Sequence, residues 1–256
     1  MTKEQLYSLW SENLRALCSQ IELNKKMIQI KIGESEYHQK NLDAEIKVLM
    51  LNYIFLLASW FDCSINLIIN ENSKEGFLGK EIEEIKNKPL ALQWKICFNL
   101  VICRKYNLHY KSEILDYSNL IKDTVKKERY KKTLELIKNI ENIIIMRNKI
   151  AHGQWEHAFN SKKTHLSSIF DDFFKKYDNI QKLDILLRIF ENIYLLIKNA
   201  VISLRTFERD FDKILTQIVL AEKRIHNSDY KKYKQKFYMK EKFCSEAKKI
   251  HRTKFK

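Results

Sequence analysis

Four glycines and one proline in 256 residues leave this chain little with which to break a helix. Average usage is roughly 7% glycine and 5% proline, and tight β-turns draw heavily on both residues. A chain this poor in them, and rich in Lys, Glu, Leu and Ile, favours long helices joined by few turns. The expected fold class is all-α: a helical bundle of long antiparallel helices with a basic helical C-terminal extension. With 45% hydrophobic residues there is ample material for one core. The expected organisation is a single all-α domain over residues 1–225, its N-terminal helix (about 3–32) packed on the core, followed by a basic, helical tail over 226–256.

Thr2 and Gln5 have the spacing of a capping box that opens the first helix. Trp10, Leu14, Leu17, Ile21 and Ile28, with Asn24 in the gap, form a heptad-like stripe up to Gly33, where the helix is expected to stop. That stripe fits either a helix of the same chain or a second copy. Asn41 or Asp43 opens a second helix reaching about Asn70. Its stretch Val48–Phe61 is apolar on nearly every face, as a central helix would be, and is shorter than the roughly 20 residues that span a bilayer. A polar loop, a short acidic helix (Lys80–Lys86) and Pro89 precede a helix over Leu90–Tyr106. Ser112 and Ser118 are candidate N-caps in the irregular stretch that follows. A basic run then grades into an apolar helix over Leu134–Ala151. Ser167 or Ser168 restarts a short helix through Tyr177. Asp178 caps a long helix that carries Leu183, Leu187, Phe190, Tyr194, Ile197, Val201 and Leu204 and runs on past Phe211 towards Ile225.

The net charge is +15, unevenly spread: from Ala221 onward there are 13 Lys/Arg against 4 Asp/Glu. Such a field attracts a polyanion, although a coding bias towards Lys, Ile and Asn raises the same count. The five cysteines (18, 63, 97, 103 and 244) form no C-x-x-C pair and are odd in number, which suits reduced thiols in the cytoplasm rather than disulfides or a zinc site. The N-terminus has no signal-peptide apolar core. The expectation is a cytoplasmic protein with no membrane partner.

The chemistry concentrates in Arg147-Asn148-Lys149-Ile150-Ala151-His152-Gly153, at the end of the Leu134–Ala151 helix. Gly153 marks a helix stop, so the group lies at a helix end open to a substrate. Arg147 falls in the gap of the apolar stripe Leu136, Ile140, Ile143 and Ile150, where a guanidinium needs an anionic or carbonyl partner. A neighbouring line carries Ile137, Glu141, Ile144, Asn148 and His152; the last two are four apart and face the same way. Arg147 and His152 differ by about 140° of rotation, so they meet through the length of the arginine or across a dimer. These groups suit cleavage of RNA by its own 2′-hydroxyl. A histidine moves protons near neutral pH, and arginine stabilises the charge developing on the phosphate. Asn148 can fix the imidazole or bind the phosphate, and Glu141 can hold Arg147 or His152. No metal and no cofactor is required.

The same seven residues resemble the signature of HEPN domains (higher eukaryotes and prokaryotes nucleotide-binding). That signature is Arg, a polar residue that is often Asn, a short spacer and His, at the end of a long apolar helix in a helical bundle. Outside the motif the likeness is architectural, over about Asn41–Phe207. The resemblance implies a metal-independent endoribonuclease in which a homodimer brings two Arg/His pairs into one cleft. Such proteins often act as toxins or in phage defence by abortive infection, which implies an antitoxin or regulatory protein as a further partner. It equally implies a second type of member that has lost catalysis and binds RNA or protein. A third possibility is a helical adaptor whose tail docks on nucleic acid or a membrane.

Candidate RNA contacts are Lys126, Lys127, Lys131 and Lys132 before the motif helix and Lys231 and Lys232 in the tail. Tyr230, Tyr233 and Phe237 form a face that fits packing better than base stacking. His157 and His165 lack the cysteine or carboxylate spacing of a metal site. The chain has no Walker-type Gly-Lys-Ser/Thr, no G-x-G-x-x-G and no G-x-S-x-G.

Overall fold

The computed structural model describes residues 1–254 apart from 112, 115 and 161, with side chains through residue 246. The fold is all-α. Among the described residues there are nine α-helices: α1 (Lys3–His38), α2 (Asp43–Ile69), α3 (Gly79–Lys86), α4 (Leu90–Tyr106), α5 (Thr124–Ala151), α6 (Ile169–Lys176), α7 (Ile180–Ile202), α8 (Leu204–His226) and α9 (Tyr230–Lys254). The one extended pairing among them is an isolated bridge between Phe159 and Leu166.

α5 is the axis of the bundle and packs against α2, α4, α6 and α8. Leu136, Ile140, Ile143 and Ile150 are buried, as their spacing predicts, and Met146 joins them. Its start is fixed by Asp123, whose carboxylate accepts the Lys126 N–H at 2.9 Å. That cap satisfies one of the four N–H groups a helix start leaves open. The irregular stretch before it is pinned by Tyr130, whose hydroxyl accepts the Tyr117 N–H at 2.9 Å and donates to Asn99 Oδ1 at 3.0 Å. Ser118 begins a short 3-10 turn, Ser118–Leu120; Ser112 lies outside the described residues.

Several local expectations hold and several need correction. Thr2 and Gln5 make the reciprocal capping box. Ile21, Asn24, Ile28 and Ile32 are buried, so the stripe of α1 packs within the chain. Gly33, however, does not end α1, which continues to His38 and stops at Gln39 in the left-handed conformation. At Gly33 the backbone of α9 passes close to α1: a Cβ there would lie 3.0 Å from the Phe237 carbonyl oxygen. The glycine is an interhelical contact rather than a stop.

α9 is thus docked over its first half, running parallel to α1. Gln29 donates to the Tyr233 hydroxyl at 3.1 Å, Lys234 pairs with Glu36 at 2.5 Å, and the Tyr37 and Tyr238 rings lie 5.8 Å apart. Phe237 is buried against the core, so the tail aromatics pack, as their face suggests.

The expected continuous helix past Phe211 is two helices. Ser203 ends α7 by donating its N–H to the Asn199 carbonyl at 3.0 Å, and caps α8 by accepting the Thr206 N–H at 3.4 Å. Folding back there lets α7 and α8 bury their apolar stripes against each other. The cap of α7 is Asn179, one residue past Asp178. α2 has the expected extent, Asp43–Ile69. At 27 residues it is long and apolar enough, by length and composition, to cross a membrane. Most of its apolar stretch is instead buried in the bundle, from Met50 and Leu51 through Phe61 to Ile69.

Candidate functional site

α5 ends in a Schellman motif. Gln154 N–H donates to the Lys149 carbonyl and Gly153 N–H to the Ile150 carbonyl, both at 3.0 Å, with Gly153 at φ +77°. Nothing lies within 4 Å of where a Gly153 Cβ would point, so only the backbone dihedral demands glycine. Gly153→Ala is therefore expected to lower stability by about 1–2 kcal/mol without a steric clash, read as a lower urea midpoint at an unchanged slope.

This ending makes His152 the C-cap residue and leaves it exposed. Asn148, one turn earlier, is also exposed, and the two side chains line one cleft of about 330 Å³. Its other walls are Ile145, Lys149, Gln154, Asn160 and Lys163.

The far wall is a small hairpin that α5 itself holds in place. The Phe159 N–H donates to Gln154 Oε1 at 2.8 Å, and the Lys149 ammonium donates to the Phe159 carbonyl. Across the hairpin, Asn160 N–H donates to the His165 carbonyl at 2.9 Å and Ser167 N–H to the Ala158 carbonyl at 2.8 Å. At the tip, Asn160 Oδ1 accepts the Thr164 N–H at 2.9 Å. Lys47 at the start of α2 pairs with Glu156 at 2.9 Å and ties the loop to the bundle. Asn148, His152 and the hairpin's Lys163 thus face a space that can accept a phosphate and exchange a proton with it.

Arg147 does not line this cleft. It is half-buried, its Nε is buried with no hydrogen-bond partner, and it makes no ion pair among the described residues. The rotation between positions 147 and 152 turns it away from His152, towards the bundle. Glu141 reaches neither residue, because it sits two helical turns, about 10 Å, before Asn148. It lines a separate apolar groove of about 490 Å³ between α4 and α5, with Leu90, Lys95, Ile137 and Lys138. Ile145 borders both the groove and the cleft.

The basic cluster lies at the other end of α5. Lys131 and Lys126 precede His152 by 21 and 26 residues, about 31 and 39 Å along the axis. Lys132 is held by the buried Glu222 of α8 at 3.2 Å, and Lys126 sits over the Tyr106 ring at 5.8 Å. Lys127 is half-buried, and Lys131 and, on α9, Lys231 and Lys232 are exposed.

Gln154, Asn160 and Lys163 were not singled out by sequence. Their place depends on closure of a hairpin that has no Asn-Gly or Asp-Gly turn to announce it. The Asn160-x-x-x-Thr164 pair was the available signal. His165 meets Thr164 Oγ1 at 2.9 Å through Nδ1, while His157 is exposed beside Glu156. No group of three His, Cys, Asp or Glu side chains able to hold a metal occurs among the described residues. Cys97 and Cys103 are buried and unpaired, and burial pushes the Cys103 thiol up to about 11. No protein-family model, curated protein or solved structure matches the chain.

Proposed function

We propose that the protein is a cytoplasmic, metal-independent endoribonuclease that works as a homodimer, of the kind that serves as a toxin or phage-defence effector under an antitoxin or other regulatory protein. The observation that carries this reading is the convergence of Asn148 and His152 with lysines on an open cleft at the end of the core helix. The likeness of Arg147–Gly153 to the HEPN signature supports it. In the proposed reaction the RNA 2′-oxygen attacks the adjacent phosphorus and the bond to the 5′-oxygen breaks. The products are a 2′,3′-cyclic phosphate and a 5′-hydroxyl. His152 takes the proton from the 2′-hydroxyl or delivers one to the departing 5′-oxygen, and Asn148 orients the imidazole or the phosphate.

Arg147 acts from the second copy in this scheme. Arg147 is only half-buried and makes no ion pair among the described residues, so the charge of its exposed part is suited to an anion brought from outside its own chain. The apolar groove that shares Ile145 with the cleft offers a face for that copy. The same observation also favours a second reading. With Arg147 outside the cleft of its own chain, the site serves equally as a catalytically silent RNA- or protein-binding module.

The test is cleavage of a mixed RNA pool in EDTA by wild type, Arg147→Ala and His152→Ala, alone and mixed. Loss in each variant alone, with partial recovery on mixing, supports a site built from two copies. No cleavage but salt-sensitive RNA binding supports the silent module. Binding lost only on removing residues 226–256 supports an adaptor acting through its tail.

A further inference from the structure

We infer that Lys163, at the tip of the hairpin, is the phosphate-binding cation of the His152 cleft. The inference rests on reading that cleft as a nucleic-acid site. Two cationic side chains, Lys149 and Lys163, line it. Arg147 does not line the cleft, and the Lys149 ammonium is committed to the Phe159 carbonyl. Lys163 lines the cleft, is exposed, and its ammonium has no partner among the described residues.

The backbone gives an independent reason. Lys163 has φ +57°, and its N–H donates to the Asn160 carbonyl at 3.0 Å. A left-handed residue at a hairpin turn is ordinarily glycine, because a Cβ is disfavoured there. The chain thus holds a long cationic side chain where a bare backbone would be more relaxed, and strain of this kind points to use. The Asn160–Thr164 hydrogen bonds hold the tip together, and the bond from Lys149 of α5 to the Phe159 carbonyl sets the hairpin against the helix end. Lys163 thereby faces Asn148 and His152 across the cleft as a point charge for the phosphate whose ester bond breaks.

Binding of a single-stranded, all-2′-deoxy oligonucleotide tests this apart from cleavage, because that ligand has no 2′-hydroxyl to react. Fluorescence anisotropy over a range of salt should give wild-type binding whose affinity falls steeply with salt. Lys163→Gly and Lys163→Gln should each weaken it about tenfold. Each should also reduce the slope of log affinity against log salt by about 0.7, the share of one single-strand phosphate. Lys163→Arg should keep both. Lys163→Gly should melt at the wild-type temperature or higher, since glycine relieves the left-handed backbone, so its weaker binding is not a folding defect. Affinity and slope unchanged in both the Gly and Gln variants would overturn the inference, as would absence of wild-type binding. Lys163-dependent binding by a protein that cleaves no RNA would uphold Lys163 and sink the ribonuclease reading alone.

Discussion

His152→Ala is expected to slow RNA cleavage by about 10²–10⁴-fold, the usual contribution of a positioned acid–base group, equivalent to about 2.7–5.5 kcal/mol of barrier. Its unfolding free energy should stay within about 0.5 kcal/mol of wild type, as for other surface substitutions. The reason is local. The side chain is exposed and carries no hydrogen bond that holds the fold, whereas the backbone N–H of residue 152 bonds the Asn148 carbonyl at 3.1 Å whichever side chain is present. Alanine keeps the Schellman ending and removes only the imidazole from the cleft. Turnover and urea unfolding on the same preparation separate the two effects. A variant that loses activity and stability together would make His152 a structural residue.

Trp94→Ala should do the opposite, destabilising the whole bundle by about 3–5 kcal/mol, a large part of the roughly 5–15 kcal/mol that holds a typical domain together. Trp94 on α4 is fully buried, and its indole N–H donates to the Phe61 carbonyl of α2 at 3.2 Å. Its ring meets Trp60 at 6.0 Å, Phe61 at 5.9 Å and Phe190 of α7 at 6.5 Å, so one side chain joins three helices. Alanine leaves a cavity that rigid helices cannot collapse into. Trp94→Phe should cost clearly less, since it keeps an aromatic ring in the cluster. Urea unfolding followed by circular dichroism measures both; a loss under about 1 kcal/mol for Trp94→Ala would show that this cluster does not hold the bundle together.

Much of the fold was legible because its rules are local. Scarce glycine and proline forecast helices, the Thr2–Gln5 spacing forecast a cap, and the apolar stripe of α5 forecast its buried face. Gly153 was read correctly and Gly33 was not, although both follow a helical run. At Gly153 the requirement is a dihedral that glycine alone meets easily. At Gly33 it is room for the Phe237 backbone, more than 200 residues away. Ser203 was missed for a similar reason: serine is a tolerable helix residue until folding back buries the stripes of α7 and α8.

The site divides along the same line. Asn148 and His152 share a cleft because residues four apart on a helix share a face, which sequence reveals. Lys163 and Gln154 join them through hydrogen bonds that close a hairpin, which no periodicity announces. Lys132 looked like a free phosphate contact until α8 placed Glu222 beside it. Arg147 was legible as a cation needing a partner, but not which partner.

The ends left on cleaved RNA bear most directly on a metal-free, His152-dependent reaction. RNA incubated with the purified protein in EDTA should carry 2′,3′-cyclic phosphates and 5′-hydroxyls at the new ends, with neither appearing when His152→Ala is used. Cleavage that stops in EDTA, new ends that are 3′-hydroxyls and 5′-phosphates, or equal cleavage by His152→Ala would contradict it.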